Sequence, residues 1–486
     1  MYVERDVELF IFHLCSPMMF CHQSKELLNK YFLDALCLFH ETQWIYNHPV
    51  TEILVKRSLD AIPKEWLDVL QSLSSEELNN FVVNKTLPVW PKTLQNFIEK
   101  CKYINKLLNI NPSIRLEVPQ QFIKGLNPKK QHEIMHLAQL IHTQCKTKKI
   151  DVIVDFGSGL GYVCQLLYYL YGYKVLGLDG NETNVNIARN RQKKMYPTSV
   201  NHVKYAFCKL SYHSIEIIES LVFSEFGNID NLCFIGLHAC GDLSVYVSKI
   251  FCDMKNAQLL ILISCCYHKL SISKNEKEIP NNIQYFDNFP MSQCLQEAIA
   301  NSNLDTSTFL RQPFLRLACQ EPAERWINMS QDSHDTHAFH VLARAVLELY
   351  VKQNKFYLKK RVRKATRRSQ CSSIENYVKD TLLRYTLEPI NEVIPQTEGK
   401  INYHEIIQND MIELWKHHCQ RSKEVEIYTG LQLILQAPAE SIVLQDRLCW
   451  LQEQGLEATI FPVMNKILSP RSNAIIAQKL KKSIIK

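Results

Sequence analysis

The sequence predicts an α/β fold built on a mainly parallel, seven-stranded sheet. Three observations carry that prediction. Short apolar runs alternate with helical stretches from about residue 150 to 264, the alternation returns near the C-terminus, and nine of the 13 glycines fall between Gly157 and Gly241. Alternating strand and helix periods mark a parallel sheet with crossover helices. Thirteen glycines in 486 residues is under half the usual ~7%, so their concentration in one stretch points to tight backbone turns there.

Residues 1–120 read as a helical N-terminal region. Pro63 to Leu73 has a helical pattern, Ser74 and Glu77 have capping-box spacing, and Leu87-Pro88-Val89-Trp90-Pro91 reads as a helix stop and packed turn. Residues 121–270 form the core of the sheet. Asn127 and Pro128 open a helix, and Ile134, Leu137, Ala138 and Ile141 give it one apolar face. Strands follow at Asp151 to Asp155, Lys174 to Leu178, His202 to Phe207, Leu232 to Leu237 and Leu259 to Ser264, with helices at Tyr162 to Tyr171, Thr183 to Met195 and Asp242 to Phe251. The alternation then stops. Residues 271–435 read as a mostly helical insertion, beginning with the polar stretch Ser271 to Asn288 and holding a basic segment at 355–368. Residues 436–486 return to the core: a helix from Glu440 to Gln454, a strand from Glu457 to Met464, a turn at Leu468 to Ser472 and a strand from Asn473 to Lys479. That helix and hairpin would complete the sheet.

Composition removes several function classes. A chain 46% hydrophobic and 22% charged is not disordered. Its net charge of +7 permits a nucleic-acid partner without requiring one. The 17 cysteines are scattered from Cys15 to Cys449 with no C-x-x-C pair, which favours reduced thiols in a cytosolic or nuclear protein over a disulfide or zinc framework. The N-terminus carries Glu4, Asp6 and Glu8 ahead of an apolar stretch interrupted by His13, so it lacks a basic leader, and secretion is not expected. No apolar run approaches the ~18 residues of a membrane helix.

The concentrated glycines open with Val154-Asp155-Phe156-Gly157-Ser158-Gly159-Leu160-Gly161, directly after a strand and before a helix. Small residues there let the backbone approach a ligand. Two details separate this loop from a dinucleotide fingerprint: the third glycine of G-x-G-x-x-G would stand at Tyr162, and Asp155 would repel a pyrophosphate. A carboxylate at that position can instead accept hydrogen bonds from an ammonium. S-adenosyl-L-methionine carries that ammonium and no phosphate. Asp179 ends the second strand, followed by Gly180 and Asn181, where a carboxylate can accept from both ribose hydroxyls; strand-end and helix capping are the plainer roles for both acids. Cys208, at the end of the third strand, either borders the adenine or is a core thiol.

The fourth strand runs into Gly236-Leu237-His238-Ala239-Cys240-Gly241-Asp242-Leu243 and the fifth into Ser264-Cys265-Cys266-Tyr267-His268. Ligands lie outside the carboxyl ends of such strands, so His238, Asp242, Cys265, Cys266 and His268 are the candidate catalytic residues. His238 reads as a general base or as a histidine bonded to its loop. Asp242 reads as a site acid or a helix N-cap. Cys240, Cys265, Cys266 and His268 invite a zinc reading, but adjacent cysteines are awkward in one tetrahedral site and no metal is expected. The run Phe356 to Arg368, with Lys355 before it, could bind RNA phosphates, act as a nuclear address or be a solvated loop. His334, His337 and His340 read as helix-face packing.

These motifs, with the tail Glu440 to Arg447 and Ser469-Pro470-Arg471-Ser472, and with Trp90-Pro91 and Asn127-Pro128-Lys129-Lys130 upstream, resemble the methyltransferase-like protein 25 family, whose relatives are labelled ribosomal RNA adenine dimethylase domain-containing. The resemblance covers most of the chain and implies a Rossmann-like class I methyltransferase that uses adenosylmethionine. The Cys265-Cys266 loop is also similar to one in a tRNA ribose 2′-O-methyltransferase family. Enzymes that methylate the adenine amine usually present an Asn/Asp-Pro-Pro-aromatic motif after the fourth strand; His238-Ala239-Cys240-Gly241 has no proline, so that chemistry is disfavoured. RNA is the expected acceptor; the alternatives are a protein acceptor or a catalytically inactive binding scaffold of methyltransferase fold.

Overall fold

The computed structural model describes residues 25–108, 116, 118–273, 286–362, 366, 372–390 and 403–480. The acidic and apolar start of the chain and most of the polar stretch after Ser271 lie outside them. Two compact units emerge, both discontinuous: one takes residues up to 37, 106–308 and 440–486, the other 38–105 and 309–439.

The first unit is the sheet. Its strands are β1 (Val152–Phe156), β2 (Lys174–Asp179), β3 (Val203–Phe207), β4 (Leu232–Ala239) and β5 (Ala257–Ser264), and the second unit adds the short strands β6 (Phe356–Lys360) and β7 (Tyr385–Pro389) before the chain returns with β8 (Glu457–Pro462) and β9 (Asn473–Gln478). The order is β3-β2-β1-β4-β5-β9-β8. β1 to β5 run parallel, and the hairpin β8–β9 closes the sheet antiparallel to β5. All five residues of β1 are buried, as a strand with helices on both faces requires. Ile134, Leu137, Ala138 and Ile141, on helix Pro128–Lys148, bury into the same core as β1, β4 and β5. Asn127 caps that helix by accepting from the Lys130 N–H, with Pro128 at its first turn.

Two helical elements differ from the sequence reading. Helix Ile215–Phe226 stands between β3 and β4; it buries only Ile218 and Val222 and leaves Ile217 and Phe223 exposed, so its apolar stripe is too narrow to stand out in a run rich in β-branched residues. The last helix begins at Ser422 and runs to Glu453 through Pro438. Proline deletes one helical N–H bond, but Leu431, Ile434, Leu435, Ala439, Ile442 and Val443 on both sides are buried, and that packing carries the helix across the break.

In the second unit, Ser74 and Glu77 form the reciprocal capping box, a device that stabilises a helix start by ~1 kcal/mol. His334 and His337 pack as expected, bonding Asn79 and Thr429. The basic segment is partly a strand: β6 pairs with β7, Phe356 and Leu358 pack on a helical core, and Lys359 pairs with Glu388 at 2.9 Å. Arg363, Lys364, Arg367 and Arg368 lie outside the described residues. Among the described residues no helix is long and apolar enough to cross a membrane.

Candidate functional site

After β1 the chain turns through Gly157, Gly159 and Gly161, at φ of 77°, 56° and 73°, into helix Tyr162–Tyr171. Asp179 clasps this loop. One carboxylate oxygen accepts from the Gly159 N–H at 2.9 Å, the other from the Asn181 N–H at 2.8 Å and the Asn184 amide at 3.2 Å. A carboxylate accepts about four bonds, so Asp179 keeps capacity for a further donor. Ser158 donates its N–H to Leu178, and Asn181 caps the next helix through Thr183. Gly161 answers a different demand: a Cβ there would stand 2.1 Å from the Tyr205 hydroxyl.

Asp155 is 3% exposed and accepts from the Cys164 thiol at 3.2 Å. Burial pushes its pKa up to about 6, against the Cys164 bond and the charge of Lys130. Beside the loop opens a cavity of about 190 Å³ lined by Gly157, Leu178, Gly180, Cys208, Lys209 and Leu243. Being smaller than the ~300 Å³ of whole-ligand pockets, it suits one part of a ligand whose remainder lies along the glycine loop. A Cβ at Gly157 would stand 3.3 Å from the Leu243 side chain across this cavity wall. Two carboxylates close by suit an ammonium and hydroxyls and oppose a phosphate, so these residues fit adenosylmethionine.

The carboxyl ends of β4 and β5 form the second half. The β4–β5 register shifts between Leu237 and Ala239, which leaves His238 as a bulge at φ 62°, a left-handed backbone uncommon in a non-glycine residue. Its Nε2 lies 3.0 Å from Glu133 Oε2. Glu133, 1% exposed on helix Pro128–Lys148, also accepts from the Ser469 hydroxyl at 2.9 Å. Burial would raise the Glu133 pKa; the His238 hydrogen bond and charge, with help from Ser469 and Lys129, outweigh it and hold the carboxyl below its ordinary range. A buried carboxylate on one imidazole nitrogen orients the ring and selects the tautomer that donates from that nitrogen.

Sequence reasoning missed Glu133 and Ser469. The available signal was a carboxylate four residues before Leu137, on the apolar face of its helix. His132-Glu133-Ile134-Met135-His136 also has the H-E-x-x-H spacing of metalloprotease helices, but His132 Nε2 accepts from the Asn465 N–H and His136 Nδ1 bonds the Val463 carbonyl, so both rings are held by the closing hairpin.

Asp242 ties down the loop after β5: it accepts from the Ser271 N–H and hydroxyl at 2.9 and 2.6 Å and from the Asn288 amide at 2.8 Å. It opens helix Asp242–Asp253, with Gly241 at the cap position. Cys240, Cys265 and Cys266 converge, with Cys240 and Cys265 sulfurs 3.0 Å apart. The Cys265 hydrogen bond, joined by Cys266, Lys269 and His238, brings the Cys240 pKa down to about 6 against burial, while the bond to Cys240 and burial push Cys265 up. His268, in the turn Tyr267–Lys269, is outside this cluster of three.

A glycine loop, an acid ending β2 and a sheet of this order define a class I methyltransferase domain, and residues 129–273 match the family model described as a methyltransferase domain. The resemblance to methyltransferase-like protein 25 holds at length: the chain is 22% identical to the probable methyltransferase-like protein 25 of Mus musculus over 76% of this chain and 78% of that one. The Homo sapiens protein of the same name is also 22% identical, over 76% of this chain and 77% of its own length. Among solved structures, magnesium protoporphyrin IX methyltransferase from Synechocystis PCC 6803 with bound SAH is similar over 29% of this chain and 63% of that chain, at 16% identity and a TM-score of 0.20.

Proposed function

We propose that this protein transfers the methyl group of S-adenosyl-L-methionine to RNA. The observation that carries the reading is the Glu133–His238 pair at the carboxyl end of β4, the strand next to the glycine-loop strand β1. The strand order reverses between β1 and β4, the place where open parallel sheets bind ligands.

The cofactor supplies a methyl group on a positively charged sulfur. Asp155 and the glycine loop would hold its amino-acid half, Asp179 its ribose hydroxyls, and the cavity beside Cys208 its adenine. His238, donating its Nε2–H to Glu133, keeps Nδ1 as the base for the acceptor's proton, and the Glu133 carboxylate stabilises the imidazolium that results. The Cys265-Cys266 loop and His268 line the acceptor side, with Asp242 holding that loop to the next helix. Positioning two reactants in line supplies the larger share of the acceleration.

An RNA acceptor is supported by the basic segment and by the family resemblance, and free cysteines throughout the described residues suit the reducing cytosol or nucleus. Calorimetric titration with adenosylmethionine tests the cofactor: binding by the unmutated chain and a weaker affinity in Asp155→Ala support the assignment, and no binding by the unmutated chain leaves a scaffold of methyltransferase fold. Transfer of labelled methyl from the cofactor to complete and RNA-depleted cell extracts tests the acceptor. Label confined to protein rejects RNA. Replacing Lys355, Lys360, Arg363, Lys364, Arg367 and Arg368 with glutamine should flatten the salt dependence of RNA binding; an unchanged slope removes this segment from the RNA surface.

A further inference from the structure

Three sulfurs meet where β4 and β5 end. The Sγ atoms of Cys240, Cys265 and Cys266 all lie within 4.8 Å of one another, with Cys240 to Cys265 at 3.0 Å and Cys265 to Cys266 at 3.5 Å. Zinc–sulfur bonds of ~2.3 Å set ligand sulfurs about 3.8 to 4.0 Å apart.

The backbone holds the three in place. Ala239 pairs with Ser264, so the next residue on each strand is a cysteine. Gly241, at φ 52°, passes so close to the β5 loop that a Cβ would stand 2.7 Å from the Lys269 carbonyl oxygen. The carbonyls of Cys240, Cys265 and Cys266 accept from the Leu243, Tyr267 and Lys269 N–H groups. Both loops are therefore fixed by their own turns, and the thiols are left for a ligand.

Charge gives the second, independent observation. Arg447 is 6% exposed, and its two terminal nitrogens have no hydrogen-bond partner among the described residues. Its guanidinium stands 5.2 Å over the Tyr267 ring, within electrostatic range of Cys265, Asp242 and Asp446. Both acids accept from neutral donors, Asp242 from Ser271 and Asn288 and Asp446 from Met291 and Ser292, and neither bonds the guanidinium directly. A buried guanidinium whose terminal N–H groups are unbonded is costly. Three thiolates around a divalent ion carry one net negative charge, the complement of one guanidinium.

We propose that Cys240, Cys265 and Cys266 form a three-thiolate zinc site whose fourth position falls to water or to a substrate atom. Binding places the ion on three thiolates and releases their protons to solvent. Among the described residues no fourth histidine, cysteine or carboxylate joins the cluster, the pattern of zinc sites that keep an exchangeable position. A disulfide is the competing fate, since it would close Cys240 and Cys265 to ~2.05 Å, but it engages two of the three sulfurs and brings no further negative charge toward Arg447.

The reading stands apart from methyl transfer, because its test reads metal. The full chain, reduced and stripped with a chelator, is titrated anaerobically with Cd²⁺ as the probe, followed by thiolate-to-cadmium absorption, and Zn²⁺ is then made to compete. One ion per chain is expected, with about a third of the band lost and affinity lowered at least tenfold in each of Cys240→Ser, Cys265→Ser and Cys266→Ser, and no change in Cys252→Ser. Where a variant does not fold, alkylation of the unmutated chain replaces it: Zn²⁺ should protect Cys240, Cys265 and Cys266 together and leave Cys252 unaffected. No ion bound, a band that survives the serine variants, or a Cys240–Cys265 disulfide that re-forms in place of metal overturns the site.

Discussion

The two ends of the candidate site are built in opposite ways. At the β1–β2 end, Asp179 reaches donors no more than 20 residues away, and the positive φ values belong to glycines. At the β4–β5 end the strained residue is a histidine, its carboxylate partner is 105 residues distant, and that partner's second support, Ser469, is 336 residues from it. One end is a local turn that any similar sequence would form. The other exists only once helix Pro128–Lys148 and the closing hairpin have docked on the sheet. A cofactor grip can be written into a few adjacent residues, whereas a base with a defined tautomer needs a buried carboxylate brought from elsewhere in the fold.

The largest effect should come from the remote assembly. His238→Ala removes the base and is expected to lower kcat by ~10²- to 10⁴-fold, measured with methyl-labelled cofactor and RNA, with cofactor affinity within about twofold of the unmutated chain. Unchanged turnover would show that the β4 end does no proton transfer. At the local end, Asp179→Ala strands the Gly159 N–H and deletes a charged acceptor; losses of that kind are worth ~1.5 to 3 kcal/mol, or about 10- to 150-fold in cofactor affinity by calorimetry. Wild-type affinity would sever the loop clasp from binding.

Glu133→Gln tests the link between the remote parts. The amide can still bond His238 but carries no charge to stabilise the imidazolium, so turnover should fall about tenfold with cofactor affinity unchanged. Because Glu133 is held below its ordinary range, its charge stabilises the fold fully above the usual carboxylate pKa of ~4.3 and less as pH falls through its depressed value. The variant's lower melting temperature at pH 7 should therefore approach that of the unmutated chain below about pH 4. A gap that persists at low pH would assign Glu133 a packing role instead.

The same division governs what the sequence disclosed. The strand positions, the glycine loop, Asp155, Asp179 and the closing hairpin follow from periodicity and adjacent residues, and helix Tyr162–Tyr171 has the same limits in both. Long-range partners are not named by local pattern: Glu133 shows only as a carboxylate on the apolar face of its helix, with nothing to say what it bonds, and Ser469 reads as part of a turn. Asp242 was legible as a residue near the site but not as the clamp on Ser271 and Asn288, because neither partner is fixed by local geometry. Gly161 reads as a cofactor glycine, yet its need for no side chain comes from Tyr205, on β3.

The smallest effect on function, and the sharpest test of the local end, is at Asp155. Burial raises its carboxyl to about 6, above the ~3.9 of an unfolded chain. A raised acid contributes most below its unfolded pKa, and that contribution is lost as pH climbs through the folded value, so above about pH 6 the ionised group costs the fold on the order of 3 kcal/mol. Asp155→Asn keeps the shape and an acceptor for Cys164. Its melting temperature should exceed that of the unmutated chain at pH 7.5 and converge with it near pH 4, while cofactor affinity falls several-fold as the ammonium loses its counter-charge. Gain of stability with loss of binding is what a carboxylate kept buried for a cation produces. A variant that melts lower at both pH values would make Asp155 a structural acceptor for Cys164, and the grip on the ammonium would then rest on the glycine loop alone.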